Sequence, residues 1–99
     1  MSYRVYVRGA AERDLSEAQR WYEQQQPGLA AEFSTEFNAT LEILEETPLI
    51  YQELYRGIRR AILHRFPYLV WYRVQNAEVA VLACTHGKVR PGKLRSALE

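Results

Sequence analysis

One cysteine, Cys84, is all the thiol chemistry the chain has, so an intrachain disulfide is excluded. That suits a reducing compartment. The opening Met1-Ser2-Tyr3-Arg4 also lacks the apolar stretch of a secretory leader, and together these features predict a cytoplasmic protein. Two histidines, His64 and His86, complete the soft metal ligands, and no second Cys/His pair accompanies them. A metal site is therefore not expected, and neither is a cofactor. The chain has no glycine-rich phosphate loop and no Gly-x-Ser-x-Gly nucleophile elbow. No run approaches the roughly 18 apolar residues of a membrane span, so no membrane partner is expected. Internal repeats, linkers and low-complexity segments are missing too. These absences argue against most ordinary enzyme classes.

What is present reads as one folded domain over residues 1–99, with 47% apolar, 12% aromatic and 25% charged residues. A chain of this size buries roughly two-thirds of its unfolded surface, enough for a core without metal or disulfide help. Cys84 sits in the run Ala80-Val81-Leu82-Ala83-Cys84 and reads as a small buried hydrophobe. The net charge of +1 conceals an asymmetry. Residues 1–54 hold four arginines against ten acids, and residues 55–99 hold nine Lys/Arg against two. The second half is therefore suited to an anionic partner: nucleic acid, an acidic protein, or the chain's own acidic half.

Tyr3, Val5 and Val7 alternate with Arg4, Tyr6 and Arg8, which predicts a short strand. From Ala10 to Gln26 the period lengthens, and Ala11, Leu15, Ala18 and Trp21/Tyr22 form one helical stripe. Pro27-Gly28 stops it. A second helix is expected from Gly28 to Thr47, with Leu29, Phe33, Phe37, Leu41 and Leu44 inward and Glu32, Glu36, Glu42, Glu45 and Glu46 outward. Trp21, Phe33 and Phe37 read first as core. After Pro48 the pattern is β throughout: Tyr51 to Tyr55, Ile58 to Phe66, Tyr68 to Gln75 and Glu78 to Thr85. Ile58, Arg60, Ile62, His64 and Phe66 are expected on one side of the second of these. The expectation is an α+β fold, β-α-α-β-β-β, with an antiparallel sheet carrying a helical hairpin on one face. The tail from His86 to Glu99 reads as basic loop.

The remaining chemistry is cationic. Arg56, Arg59, Arg60 and Arg65 flank or occupy one long strand, and Lys88, Arg90, Lys93 and Arg95 follow the last strand beside His86. Strand pairing is expected to bring both groups to one surface. Such a surface binds phosphates, and stabilises a pentacovalent phosphate if a proton-transfer group such as His86 stands in it. A solvated or internally paired basic face is the alternative.

Several stretches, in order, resemble the RelE/ParE superfamily of bacterial toxins. They are Ala10-Ala11-Glu12-Arg13-Asp14-Leu15; Trp21-Tyr22-Glu23 with Gln26-Pro27-Gly28-Leu29-Ala30; Glu46-Thr47-Pro48 with Tyr51; Ile58-Arg59-Arg60; Arg65-Phe66-Pro67-Tyr68; Trp71-Tyr72-Arg73-Val74; and Val81-Leu82-Ala83-Cys84-Thr85-His86 with Arg90-Pro91. The resemblance implies the toxin of a type II toxin–antitoxin pair, bound in a hetero-oligomer by a cognate antitoxin. Trp21, Tyr22 and Phe37 would be its docking residues. The Phe-Pro-Tyr and Pro-Gly-Leu-Ala segments are closer to the ParE and plasmid-stabilisation branch, which implies growth inhibition through DNA gyrase. Arg59, Arg60, Arg65, Lys88, Arg90, Lys93 and Arg95 would then bind the target. The closing segment departs from that branch, with Val89 where a second Arg is common and no Trp after Pro91. The alternative is a RelE-like endoribonuclease cutting mRNA on the ribosome, with His86 and Arg60 catalytic because no tyrosine follows Tyr72. A non-toxic module that binds antitoxin or nucleic acid is the third reading.

Overall fold

A computed structural model describes residues 2–88. The elements are β1 (Arg4–Val7), α1 (Gly9–Gln25), α2 (Leu29–Glu46), a 3-10 turn (Pro48–Ile50), β2 (Glu53–Tyr55), β3 (Ile58–Ile62), β4 (Tyr68–Gln75) and β5 (Glu78–His86). They build one sheet of five strands in the order β1-β5-β4-β3-β2. β2 to β5 pair antiparallel, as expected, while β1 runs parallel to β5 and makes the sheet mixed. The helical hairpin intervenes between β1 and the meander, and this long connection permits the parallel pairing.

The hairpin forms where the apolar stripe and the turn chemistry agree. α1 buries Ala11, Ala18 and Tyr22, and α2 buries Phe33, Phe37, Thr40 and Leu44. Gly28 sits between them at φ +95°, a left-handed conformation that a Cβ disfavours. No side chain of the capping residue itself serves the first amides of α2. The Glu23 carboxylate accepts from Gly28 N at 3.1 Å and Ala30 N at 3.2 Å instead, placing an anion at the helix N-terminus.

Tyr22 ties the layers together. Its ring lies 5.5 Å from Phe33 across the hairpin and meets Phe66 edge-on at 4.8 Å. Phe33 and Tyr68 are 5.3 Å apart, again edge-to-face. On the same side of the sheet, Val70, Tyr72, Val79, Val81 and Cys84 complete the main core. Tyr72 is fully buried, and its hydroxyl donates to the Pro48 carbonyl at 2.5 Å. Burial pushes this phenol up to about 12, with nearby Arg59 opposing the shift and Tyr51 adding to it.

Two expectations change. β3 ends at Ile62, not Phe66. The Glu36 carboxylate takes the backbone N–H groups of His64 and Arg65, which bends the chain and turns Phe66 into the main core, away from the face of Ile58. Trp21, expected in the core, is 53% exposed, because the buried stripe of α1 runs through Ala11, Ala18 and Tyr22.

One irregularity reorganises β5. Trp71 pairs with Ala83 but Tyr72 pairs with Val81, so Leu82 is an extra residue, a β-bulge. Val81 and Cys84 consequently face the helices, while Leu82 and Ala83 both join Ile58 and Trp71 in a second cluster on the opposite face.

Tyr72→Phe leaves the Pro48 carbonyl without its donor and should cost about 1–2 kcal/mol in urea unfolding. Gly28→Ala should cost a similar ~1–2 kcal/mol by forcing an L side chain into the left-handed region. Wild-type stability in either variant would contradict these assignments.

Candidate functional site

The strand parities sort the candidate residues onto opposite faces. Val5 and Val7 of β1, Ala61 of β3, Val70 and Tyr72 of β4, and Val79 and Cys84 of β5 turn to the helices. Arg60 of β3 lies on the other face, with its guanidinium 5.7 Å over the Trp71 ring. His86 stands at the end of β5, two residues beyond Cys84, and so returns to the helix side. There it packs 5.4 Å from the ring of Tyr68, and its Nδ1 accepts from the Lys88 amide at 3.1 Å. The structure therefore does not bring His86 and Arg60 into one site. The bulge is the reason, since uninterrupted alternation from Val81 would have put His86 on Arg60's face.

The other basic candidates divide as well. Arg59 faces the helix side, where its guanidinium donates to the Tyr51 carbonyl at 2.5 Å and lies 4.0 Å from Glu53. It is a brace for the 3-10 turn and β2, not a free cation. Arg65 pairs with Glu32 at 2.5 Å and lies over the Phe66 ring at 5.8 Å. The acidic half of the chain thus neutralises part of the basic half. Lys88 is exposed. Arg90, Lys93 and Arg95 lie outside the described residues.

Tyr22 and Phe37 are 9% and 5% exposed, so neither offers its side chain to a partner. Of the three expected docking residues only Trp21 reaches the surface, braced edge-on by Tyr22 at 5.0 Å. Sequence reading missed a second apolar patch. Ile43, Leu49 and Ile50 are 41%, 55% and 64% exposed around the end of α2. Beside them runs a groove of about 300 Å³ lined by Tyr3, Glu46, Thr47, Pro48, Leu49 and Ile50. The signal was present as Leu49-Ile50, two apolar residues after the buried Pro48 at a helix end, with no alternation to turn them inward.

Asp14 and Cys84 meet where α1 packs on β5, and burial raises both. β1 ends at Val7, and Arg8 N bonds Val81 O, so no β1 partner reaches the Cys84 amide. Asp14 Oδ2 accepts from it at 3.0 Å instead. Burial raises the Asp14 carboxyl above 3.8, opposed by that hydrogen bond. Burial, with Asp14 adding, pushes the Cys84 thiol up to about 12, so the thiolate is scarce at neutral pH. The pair is structural. No group of three or more potential metal ligands occurs among the described residues, and no helix there is long and apolar enough to cross a membrane.

The profile of the ParE toxin of type II toxin–antitoxin systems matches residues 5–91. The chain belongs to the ParE toxin family. No curated protein sequence matches it. Among solved structures, the chromosomal ParDE toxin–antitoxin system from P. aeruginosa is similar at 18% identity and a TM-score of 0.76. That match covers 86% of this chain and 96% of the other, and at this identity it shows the fold. The RelBE2 toxin–antitoxin complex from Mycobacterium tuberculosis is similar at 25% identity and a TM-score of 0.55, over 87% of this chain and 99% of that one. The α+β architecture is thus that of the RelE/ParE superfamily, on its ParE-like branch.

Because the native Asp14 carboxyl holds its proton more tightly than the unfolded one, its stabilising contribution is full below pH 3.8 and lost as pH rises through the native value. Wild type should therefore lose stability relative to Asp14→Asn on that ascent. Urea titrations across the acid range check this, and a constant gap would contradict it.

Proposed function

We propose that this ParE-family toxin arrests growth by acting on DNA gyrase and is held inactive by a cognate antitoxin. The observation that carries the reading is the family match along residues 5–91. The site geometry supports it. Cleaving an RNA phosphodiester requires a proton-transfer group and a cation converging on the same phosphate. Here His86 and Arg60, the two residues cast in those roles, stand on opposite faces of the sheet. Gyrase poisoning asks only for a binding surface, and Arg60 and Lys88 remain available to one; the resemblance assigns Arg90, Lys93 and Arg95 to target binding as well. Arg59 and Arg65 serve the fold first.

Inducing the chain without its antitoxin in a bacterial host, and following DNA and protein synthesis separately within minutes, tests the target. Early loss of DNA synthesis with DNA-damage induction is expected. His86→Ala and Arg60→Ala should each keep most of that effect. Early loss of translation with cut mRNA, abolished by either substitution, would establish the ribonuclease reading instead. No effect on either process would leave an antitoxin- or nucleic-acid-binding module.

Antitoxin docking falls to surface apolar side chains, and Trp21 is the largest of them. Trp21→Ala should weaken antitoxin binding by roughly 2 kcal/mol, as for a buried aromatic anchor, with little change in the toxin's own stability. Calorimetric titration checks this, and unchanged affinity would remove Trp21 from the interface.

A further inference from the structure

The sheet face that turns away from the helices keeps positive charge the fold does not neutralise. Arg8 just after β1, Arg60 on β3 and Arg73 on β4 all lie there. Among the described residues none of the three has an acidic partner, and Arg60 lies over the Trp71 ring. Other arginines of the sheet region contrast with this. Arg59 and Arg65 are held by Glu53 and Glu32, and Arg4 faces Glu78 at 3.9 Å. Arg8 and Arg73 converge on one groove of about 90 Å³, lined also by Tyr6, Gln75, Glu78, Ala80 and Leu82. Its floor is the apolar pair Ala80 and Leu82, and its walls supply guanidinium, amide and phenol donors. Glu78, the acid in the groove, is already turned to Arg4.

Such a groove fits a ligand that brings carboxylates to the walls and a small apolar group to the floor, because guanidinium forks pair bidentately with carboxylates. We propose that this face docks an acidic polypeptide segment. Its carboxylates would meet Arg8 and Arg73, its apolar side chain would cover Ala80 and Leu82, and Arg60 would extend the cationic track. A nucleic-acid strand fits less well. Stacking platforms present successive exposed rings, but Trp71 is 7% exposed beneath Arg60, leaving Tyr6, at 44%, as the ring in the groove. The chain's own residues after Lys88 supply Arg90, Lys93 and Arg95 against the single acidic side chain of Glu99, so they do not bring the missing negative charge.

The test uses the full chain and a short fluorescein-labelled peptide of glutamates interrupted by leucine, followed by anisotropy. An oligothymidylate of similar length and charge is the competitor. Peptide binding is expected, with affinity reduced ~tenfold or more in the double variant Arg8→Gln/Arg73→Gln, as for loss of charge-assisted bidentate pairs. It should be unchanged in Arg13→Gln/Arg20→Gln, whose side chains lie on the exposed surface of α1. Arg8→Lys/Arg73→Lys, which keeps the charge but loses the fork, should fall between, and it stands in if the glutamine variant fails to fold. Absence of peptide binding would overturn the proposal. So would equal loss in the α1 variant, or tighter binding of oligothymidylate through the same two arginines.

Discussion

The bulge at Leu82, opposite Trp71, is the constraint on which the rest of the molecule depends. A strand of uniform alternation sends every second residue to one face. β5 must cover two faces with different demands, since the helices require Val79, Val81 and Cys84 while the far side requires Leu82 and Ala83 over Trp71 and Ile58. One inserted residue satisfies both. The same insertion determines which way His86 points, and so separates it from Arg60. A local change in backbone register thereby reaches the chemistry the sheet can perform.

The end of β1 imposes a second requirement. When the chain leaves the sheet to begin α1, the Cys84 amide has no strand partner, and a buried N–H without an acceptor costs about 1–3 kcal/mol. Asp14 supplies the acceptor from one turn into the helix. Glu36 does the same for His64 and Arg65, and Glu23 for the start of α2. These three carboxylates serve backbone amides, so part of the acidic charge of the first half is spent inside the fold. On the sheet, Arg8, Arg60 and Arg73 are left without an acidic partner on the face turned away from the helices.

Family membership and geometry bear on different questions here. The match along residues 5–91 settles the kind of protein. The placement of Arg59 and Arg65 against carbonyls and acids, and of His86 against Tyr68, decides which side chains are free to meet a target. A list of basic residues in sequence order cannot separate a brace from a binding group, because the two differ only in what lies beside them.

By itself the sequence determined the element order, the helical hairpin around Pro27-Gly28, the meander from β3 to β5, the burial of Cys84 and the family resemblance. The elements depend on short-range periodicity and turn chemistry, which a window of a few residues contains, and the resemblance on the order of several such stretches along the chain. Tertiary structure alone decided that β1 pairs parallel to β5, that β3 stops at Ile62, that Trp21 is exposed while Tyr22 and Phe37 are not, and that Arg8 and Arg73 share a groove. Those outcomes depend on contacts between residues far apart in the chain. Glu36 bends the chain at His64, and an inserted Leu82 reverses the parity of all that follows in β5. Neither effect leaves a mark in the local pattern, because a carboxylate that accepts from a distant amide has the same residue code as one that faces water.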